Sequence, residues 1–161
     1  AEAGMRKLGL GPLLGVNKWR FEILAVAMHA KFLMKKAWRS QISVSLPRMR
    51  PAASGYIPKS ENIPDDRELV QIVCALRMFL SRLAIVVSTR ESRKLRDGLM
   101  GLGVTQMSAY SSTQPGGYAE RNDSGEQFCI DDNRTPEEFV AAVKARGLDP
   151  VWKDFDASLI G

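Results

Sequence analysis

The strongest constraint on this chain is a repeated order of events along it. A short apolar run ends in a cluster of small and charged residues, a stretch with helical spacing follows, and the pattern starts again. Residues 83–87 end in Ser88-Thr89-Arg90-Glu91, residues 92–102 are helix-like and close on Gly103, and residues 104–107 lead into Ser108-Ala109-Tyr110-Ser111 and then Gln114-Pro115-Gly116-Gly117-Tyr118. Strand, helix, strand is a βαβ unit, and it requires parallel strands because the helix carries the chain back to the starting edge. In such folds ligands gather beyond the carboxyl ends of the strands, so these polar clusters are where chemistry is expected.

Upstream the same order recurs. Residues 7–10 form a short apolar segment ending in Gly11-Pro12, with Gly9, Gly11 and Gly15 spaced one residue away from a dinucleotide-binding fingerprint. Either these glycines give the strand a tight exit and a close backbone approach, or their bare backbone meets a ligand. Asn17 is placed to cap a helix over 18–36, in which Ile23, Leu24, Ala27 and Met28 recur at helical spacing. His29, the only histidine, lies on this helix away from any strand end and reads as a packing residue. Residues 41–46 have strand composition and stop at Pro47. In Pro47-Arg48-Met49-Arg50-Pro51 two arginines sit on an extended turn between prolines. They suit recognition of a carboxylate or phosphate, or else they pair with acidic loops.

After a Pro-, Ser- and Gly-rich loop over 52–64, Asp65 with Glu68 forms a capping box. Leu69, Ile72, Val73, Leu76, Phe79 and Leu80 make one apolar stripe on the helix it starts, with Cys74 beside it. Residues 122–125 read as a polar turn. Thr135-Pro136-Glu137-Glu138 is a strong helix start, Phe139, Val140 and Val143 form the buried face, and Gly147 ends the helix.

The count is four βα units with parallel strands over residues 1–148, then a tail over 149–161. A (β/α)8 barrel needs eight units and typically ~250 residues, so the expected architecture is half of a TIM-type barrel, with a free-standing small α/β sheet as the alternative. The chain opens on Ala1-Glu2-Ala3-Gly4 with neither an initiator Met nor a helix cap, as though it began inside a longer protein. A half-barrel would leave two sheet edges and part of an apolar barrel lining exposed, and self-association is expected.

Composition removes several function classes. The net charge is +5, but the 23 basic residues are scattered rather than set in the continuous stripe that nucleic acid needs. Cys74 and Cys129 are far apart, which implies no metal site and reduced thiols in a cytoplasmic protein. The most apolar stretch, 21–34, is broken by Glu22, His29 and Lys31 and is too short for a membrane span. No secretory signal is visible.

Several separated segments, in order over essentially the whole chain, resemble the radical S-adenosylmethionine (SAM) tyrosine lyases. They are Ser88-Thr89-Arg90-Glu91, Ser108-Ala109-Tyr110-Ser111 with Thr113-Gln114-Pro115-Gly116-Gly117-Tyr118, and Pro150-Val151-Trp152-Lys153-Asp154. Leu8-Gly9-Leu10-Gly11 with Leu13-Leu14-Gly15, Leu46-Pro47-Arg48-Met49-Arg50-Pro51 and Asp132-Asn133-Arg134-Thr135 are also similar to family segments. The thiamin-thiazole branch, which makes 2-iminoacetate, is the nearer match.

The resemblance implies a (β/α)8 barrel whose 4Fe-4S cluster sits on a Cys-x3-Cys-x2-Cys loop, which this chain lacks. It implies the carboxyl-terminal half, inactive without the cluster-bearing amino-terminal half as partner. The implied reaction is reductive cleavage of SAM, hydrogen-atom abstraction from tyrosine by the 5′-deoxyadenosyl radical, and scission of the tyrosine Cα–Cβ bond to dehydroglycine and p-cresol. A radical must meet one chosen hydrogen at near contact, so the amino acid has to be clamped. Arg90 is the expected carboxylate clamp and Ser108 its hydroxyl partner, with Ser111, Thr89 and Arg48 as further substrate-side residues and Glu91 set to fix Arg90 or meet SAM. The bland reading of Arg90 is an ion pair with Glu91 or Asp97. By the same resemblance Gly9, Leu10 and Gly11, with Ser45, Leu46 and Pro47, would lie along the adenosine part of SAM. The competing readings are a non-catalytic relic or docking module for thiazole synthase, and a phosphate-binding half-barrel using Arg48 and Arg50.

Overall fold

In a computed structural model, residues 2–50, 59–113 and 130–152 are described. Four parallel strands form one sheet: β1 (Lys7–Leu10), β2 (Gln41–Ser45), β3 (Ala84–Val87) and β4 (Gln106–Met107). The helices are α1 (Trp19–Lys36), α2 (Asp66–Phe79), α3 (Arg93–Leu99) and α4 (Pro136–Lys144), with a 3-10 turn at Ser60–Asn62. The strand order is β1-β2-β3-β4, with no reversal. A doubly wound sheet reverses its order at a switch point, whereas a barrel adds each new strand on the same side. The singly wound order is therefore that of a barrel segment.

Register fixes the two faces of the sheet. Leu8, Ile42 and Ile85's neighbours alternate so that Leu10, Val44 and Ile85 lie side by side. That face packs on Val26, Ala27 and Ala30 of α1, Leu69, Ile72, Val73 and Leu76 of α2, and Leu95 and Leu99 of α3 in one core. The opposite face bears Gly9, Ser43 and Ala84 in one row and Ser45, Val86 and Gln106 in the next. The expected apolar lining is therefore corrected: Val86 apart, these rows of the face turned from the helices are built of small and polar residues.

Local signals explain most helix ends. Asp65 and Glu68 close a reciprocal capping box at α2, and Thr135 and Glu138 another at α4, where Pro136 takes the first position. Ser92 caps α3 through the Leu95 amide. Asn17 does not cap α1; the cap is Lys18, without a side-chain bond, and the Asn17 side chain accepts from the Lys18 amide. His29 is exposed rather than packed, and Phe79 is half exposed with Lys31 over its ring. Phe139 is buried on α4 while Val140 and Val143 are only half-buried. The polar turn at 122–125 lies outside the described residues, as do Cys129 and Gln114-Pro115-Gly116-Gly117-Tyr118. Exposed apolar side chains gather on α1 instead, where Phe21, Leu24, Met28 and Phe32 face away from the sheet. No helix among the described residues is long and apolar enough to cross a membrane.

Candidate functional site

All four strands run parallel, so their carboxyl ends share one edge. Ser88-Thr89-Arg90-Glu91 leaves β3 there, and Ser108 leaves β4 beside it, with the Ser108 amide donating to the Val87 carbonyl at 3.2 Å. Arg90 and Ser108 thus stand at adjacent strand ends on the same side of the sheet. Arg90 is half-buried, and its guanidinium is pushed below its ordinary value, by burial first and by the like charge of Arg50, against the opposing pull of Glu91. Burial and a like-charged neighbour disfavour the charged guanidinium, and the nearby Glu91 carboxylate partly offsets them.

Glu91 is 2% exposed and belongs to Arg48. The Arg48 Nε reaches its two carboxylate oxygens at 3.2 and 3.0 Å, and Nη2 makes a further, short contact. Arg48 also meets the Pro64 carbonyl at 3.1 Å and Asp66 at 2.8 Å. Burial lowers the Arg48 guanidinium, but the bonds to Glu91 and Asp66 outweigh it and leave it raised. Arg50 donates to the Arg90 carbonyl at 2.5 Å and to Asp131 at 2.7 Å. Of the two readings of the Pro-flanked arginines, pairing with acidic loops is the one the geometry displays. Asp97 holds Arg134 at 2.8 Å and Arg146 at 3.2 Å.

Thr89 is buried, and its carbonyl accepts from the amides of both Asp131 and Asp132 at 3.1 Å. Ser111 is half-buried and follows Tyr110, whose φ of 51° is left-handed. For a residue with a Cβ that conformation costs about 1–2 kcal/mol, so the turn after Ser108 is held by its surroundings.

The β1 and β2 ends also meet. The Leu14 amide donates to the Pro47 carbonyl at 2.9 Å and the Met49 amide to the Leu14 carbonyl at 2.7 Å, extending the pairing past the strands. Gly15 makes that approach possible: its φ is +127°, and a Cβ there would lie 2.8 Å from the Met49 Cβ. A Cβ on Gly9 would come no nearer than 3.5 Å to the Ser43 hydroxyl, and one on Gly11 no nearer than 3.9 Å to the Ser45 carbonyl. A side chain at either glycine would thus be in ordinary contact with β2, and both glycines are exposed at the end of β1. Leu46 is buried in the core and Leu10 packs against it, so only their main-chain groups can contribute, and the Pro47 carbonyl is already engaged by Leu14.

A second charged cluster escaped the sequence reading. Arg96 on α3 bonds Asp132 and the Ser108 carbonyl, and Arg134 bonds the same Asp132 carboxylate at 2.8 and 2.6 Å. Both guanidiniums lie against the Phe139 ring, 4.7 and 5.1 Å from its centroid. The only sequence hint was the Asp132-Asn133-Arg134-Thr135 segment; nothing local points from there to Arg96. No group of three or more metal-ligating side chains occurs among the described residues. Two cysteines in the whole chain do not fit a three-cysteine cluster loop.

Residues 45–149 match the model of the Biotin and Thiamin Synthesis associated domain. The chain is 46% identical over 158 residues to 2-iminoacetate synthase of Escherichia coli strain K12, covering 98% of this chain and 41% of that protein. It is 44% identical to 2-iminoacetate synthase of Salmonella typhimurium strain LT2, with the same coverage. The chain thus spans about two-fifths of the length of these relatives. Among solved structures, a crystal structure of HydG, a maturase of the FeFe-hydrogenase, superposes with a TM-score of 0.84 at 33% identity, covering 95% of this chain and 33% of that one. HydG from Carboxydothermus hydrogenoformans gives 0.78 at 38% identity, covering 91% of this chain and 33% of that one.

Proposed function

The chain belongs to the Biotin and Thiamin Synthesis associated domain family, and we propose that it is the carboxyl-terminal, tyrosine-holding part of a radical SAM tyrosine lyase of the 2-iminoacetate synthase kind. The observation that supports this reading is the shared edge of the sheet where Arg90 and Ser108 leave neighbouring strands. The Arg90 guanidinium grips the tyrosine carboxylate with two parallel hydrogen bonds, and the Ser108 hydroxyl fixes the amino acid from the next strand end. Ser111 and the Thr89 main chain border the same space.

Gly9, Gly11 and Ser45, with the backbone of Leu10, Leu46 and Pro47, lie along the adenosine of SAM. Bound SAM, reduced by a 4Fe-4S cluster held outside this chain, supplies the hydrogen-abstracting radical. The task of the residues here is to bind and orient: a rigid pose sets which hydrogen lies at near contact. The small and polar face of the sheet leaves room for that pose within a closed barrel. Glu91 and Arg48 neutralise each other, which weakens the phosphate-binding reading.

Arg90→Lys in the full-length protein tests this. Losing the planar fork removes about 1.5–3 kcal/mol of charged hydrogen bonding, so kcat/KM for tyrosine falls by roughly ten- to a hundredfold while the thermal unfolding midpoint stays put. Unchanged kinetics would remove Arg90 from the site.

A further inference from the structure

Among the described residues Arg96 is the largest fully buried side chain, 1% exposed, on a helix of only seven residues. A buried ion pair is a poor source of stability, since well-packed apolar residues of similar volume often do as well or better. Arg96 also leaves its Nε without a hydrogen-bond partner and shares one carboxylate with Arg134. What the pair supplies is position. The Arg96 guanidinium bonds the main-chain carbonyl of Ser108 with one arm and Asp132 with the other. The Asp131 and Asp132 amides in turn hold the carbonyl of Thr89, the residue before Arg90. One continuous chain of bonds therefore runs from the end of β3, through Asp132 and Arg96, to the end of β4. Phe139 stacks against Arg96 and Arg134 and keeps both planes from swinging.

We propose that Arg96 and Asp132 are positioning residues that set the separation between the Arg90 guanidinium and the Ser108 hydroxyl, and so the fit of the amino-acid substrate. This rests on the tyrosine-site reading above. Neither residue touches the substrate; each acts through a main-chain carbonyl.

The test compares Arg96→Lys and Asp132→Asn with Arg90→Lys and Ser108→Ala, all in the full-length protein. A lysine keeps one charge near Asp132 but cannot reach both Asp132 and the Ser108 carbonyl with a planar fork. Three quantities are read: the equilibrium Kd for tyrosine without SAM, the Kd for SAM, and the 5′-deoxyadenosine formed per p-cresol. Arg96→Lys and Asp132→Asn should each weaken tyrosine binding by about tenfold or more, the scale of one charge-assisted hydrogen bond. They should raise 5′-deoxyadenosine per p-cresol at least about twofold, because a loose substrate uncouples the radical from its target, and leave SAM binding unchanged.

Folded variants with unaltered tyrosine Kd and unaltered coupling would overturn the proposal. So would variants that lose their unfolding transition, or that lose tyrosine and SAM binding together, because those results assign the pair to stability alone. If Arg90→Lys and Ser108→Ala leave tyrosine binding intact, the tyrosine-site reading fails and takes this proposal with it. If those two weaken binding and Arg96→Lys and Asp132→Asn do not, only the positioning proposal fails.

Discussion

Two charged clusters flank the Arg90 strand end, and they are built differently. On the β2 side, Glu91 is buried between Arg48 and Arg50, and each arginine has a further acidic partner, Asp66 or Asp131. Three carboxylates there face two arginines, and the Arg48 guanidinium ends raised despite its burial. On the β4 side, Arg96 and Arg134 share the Asp132 carboxylate, and burial wins over the pairing at Arg96, whose guanidinium ends lowered. The first cluster is centred on side-chain ion pairs, although Arg48 and Arg50 also reach the Pro64 and Arg90 carbonyls, and its main expected weight is in stability. The second bonds the main-chain carbonyls of Thr89 and Ser108, at the ends of β3 and β4, and its proposed weight is in the geometry of the site.

The largest way to break this contrast is Glu91→Gln. It leaves Arg48 without its principal partner in a buried setting and should cost about 3 kcal/mol, read as a lower urea midpoint. Tyrosine affinity of the folded fraction should stay within about twofold. A loss under about 1 kcal/mol would mean that Asp66 alone satisfies Arg48.

Phe139→Leu should come next, at about 1–2 kcal/mol, from lost ring contact with two cations and a partly filled space. Because the ring steadies Arg96, tyrosine binding should weaken as well. Loss of stability with unchanged tyrosine affinity would separate the ring from the geometry of the site.

Acid sharpens the contrast further. Burial pushes the Asp132 carboxyl up, but the hydrogen bonds from Arg134 and the charge of Arg96 outweigh it and hold it below its ordinary value of 3.8. A depressed carboxyl contributes stability above its unfolded pKa and loses it as pH falls through the folded value. The second cluster should therefore be intact at neutral pH and weaken only below about pH 4. The carboxyl carbon resonance of Asp132, followed by NMR, should titrate below 3.8; titration above that value would contradict the bonding described.

The smallest effect is expected at the rim. Arg146 is 38% exposed and meets Asp97 at 3.2 Å. Solvent screens such a pair, so Arg146→Ala should change stability by no more than about 0.5 kcal/mol. A larger loss would make Asp97 part of the buried cluster rather than its edge.

Much of this molecule was legible along the chain. The four strands and four helices fall where apolar runs and caps put them, because a capping box or a Pro at the first helical turn acts within three or four residues. The placement of Arg90 and Ser108 at strand ends follows from the same order. Misread features were those with no local cause: Asn17 as a cap, His29 as a packing residue, and the apolar character of the sheet's second face. A side chain's exposure depends on what lies across from it, and the alternation in β2 says only that Ser43 and Ser45 share a face, not what that face meets.

Sequence alone determined the βα rhythm, the parallel strands and the strand-end location of Arg90 and Ser108, since each is set by contacts within one unit. Only the tertiary structure decided which charges meet. Arg48 and Glu91 are 43 positions apart, and Arg96 and Asp132 are 36. An ion pair leaves no periodic trace in a sequence, and its partners are chosen by which loops the barrel curvature brings to one edge.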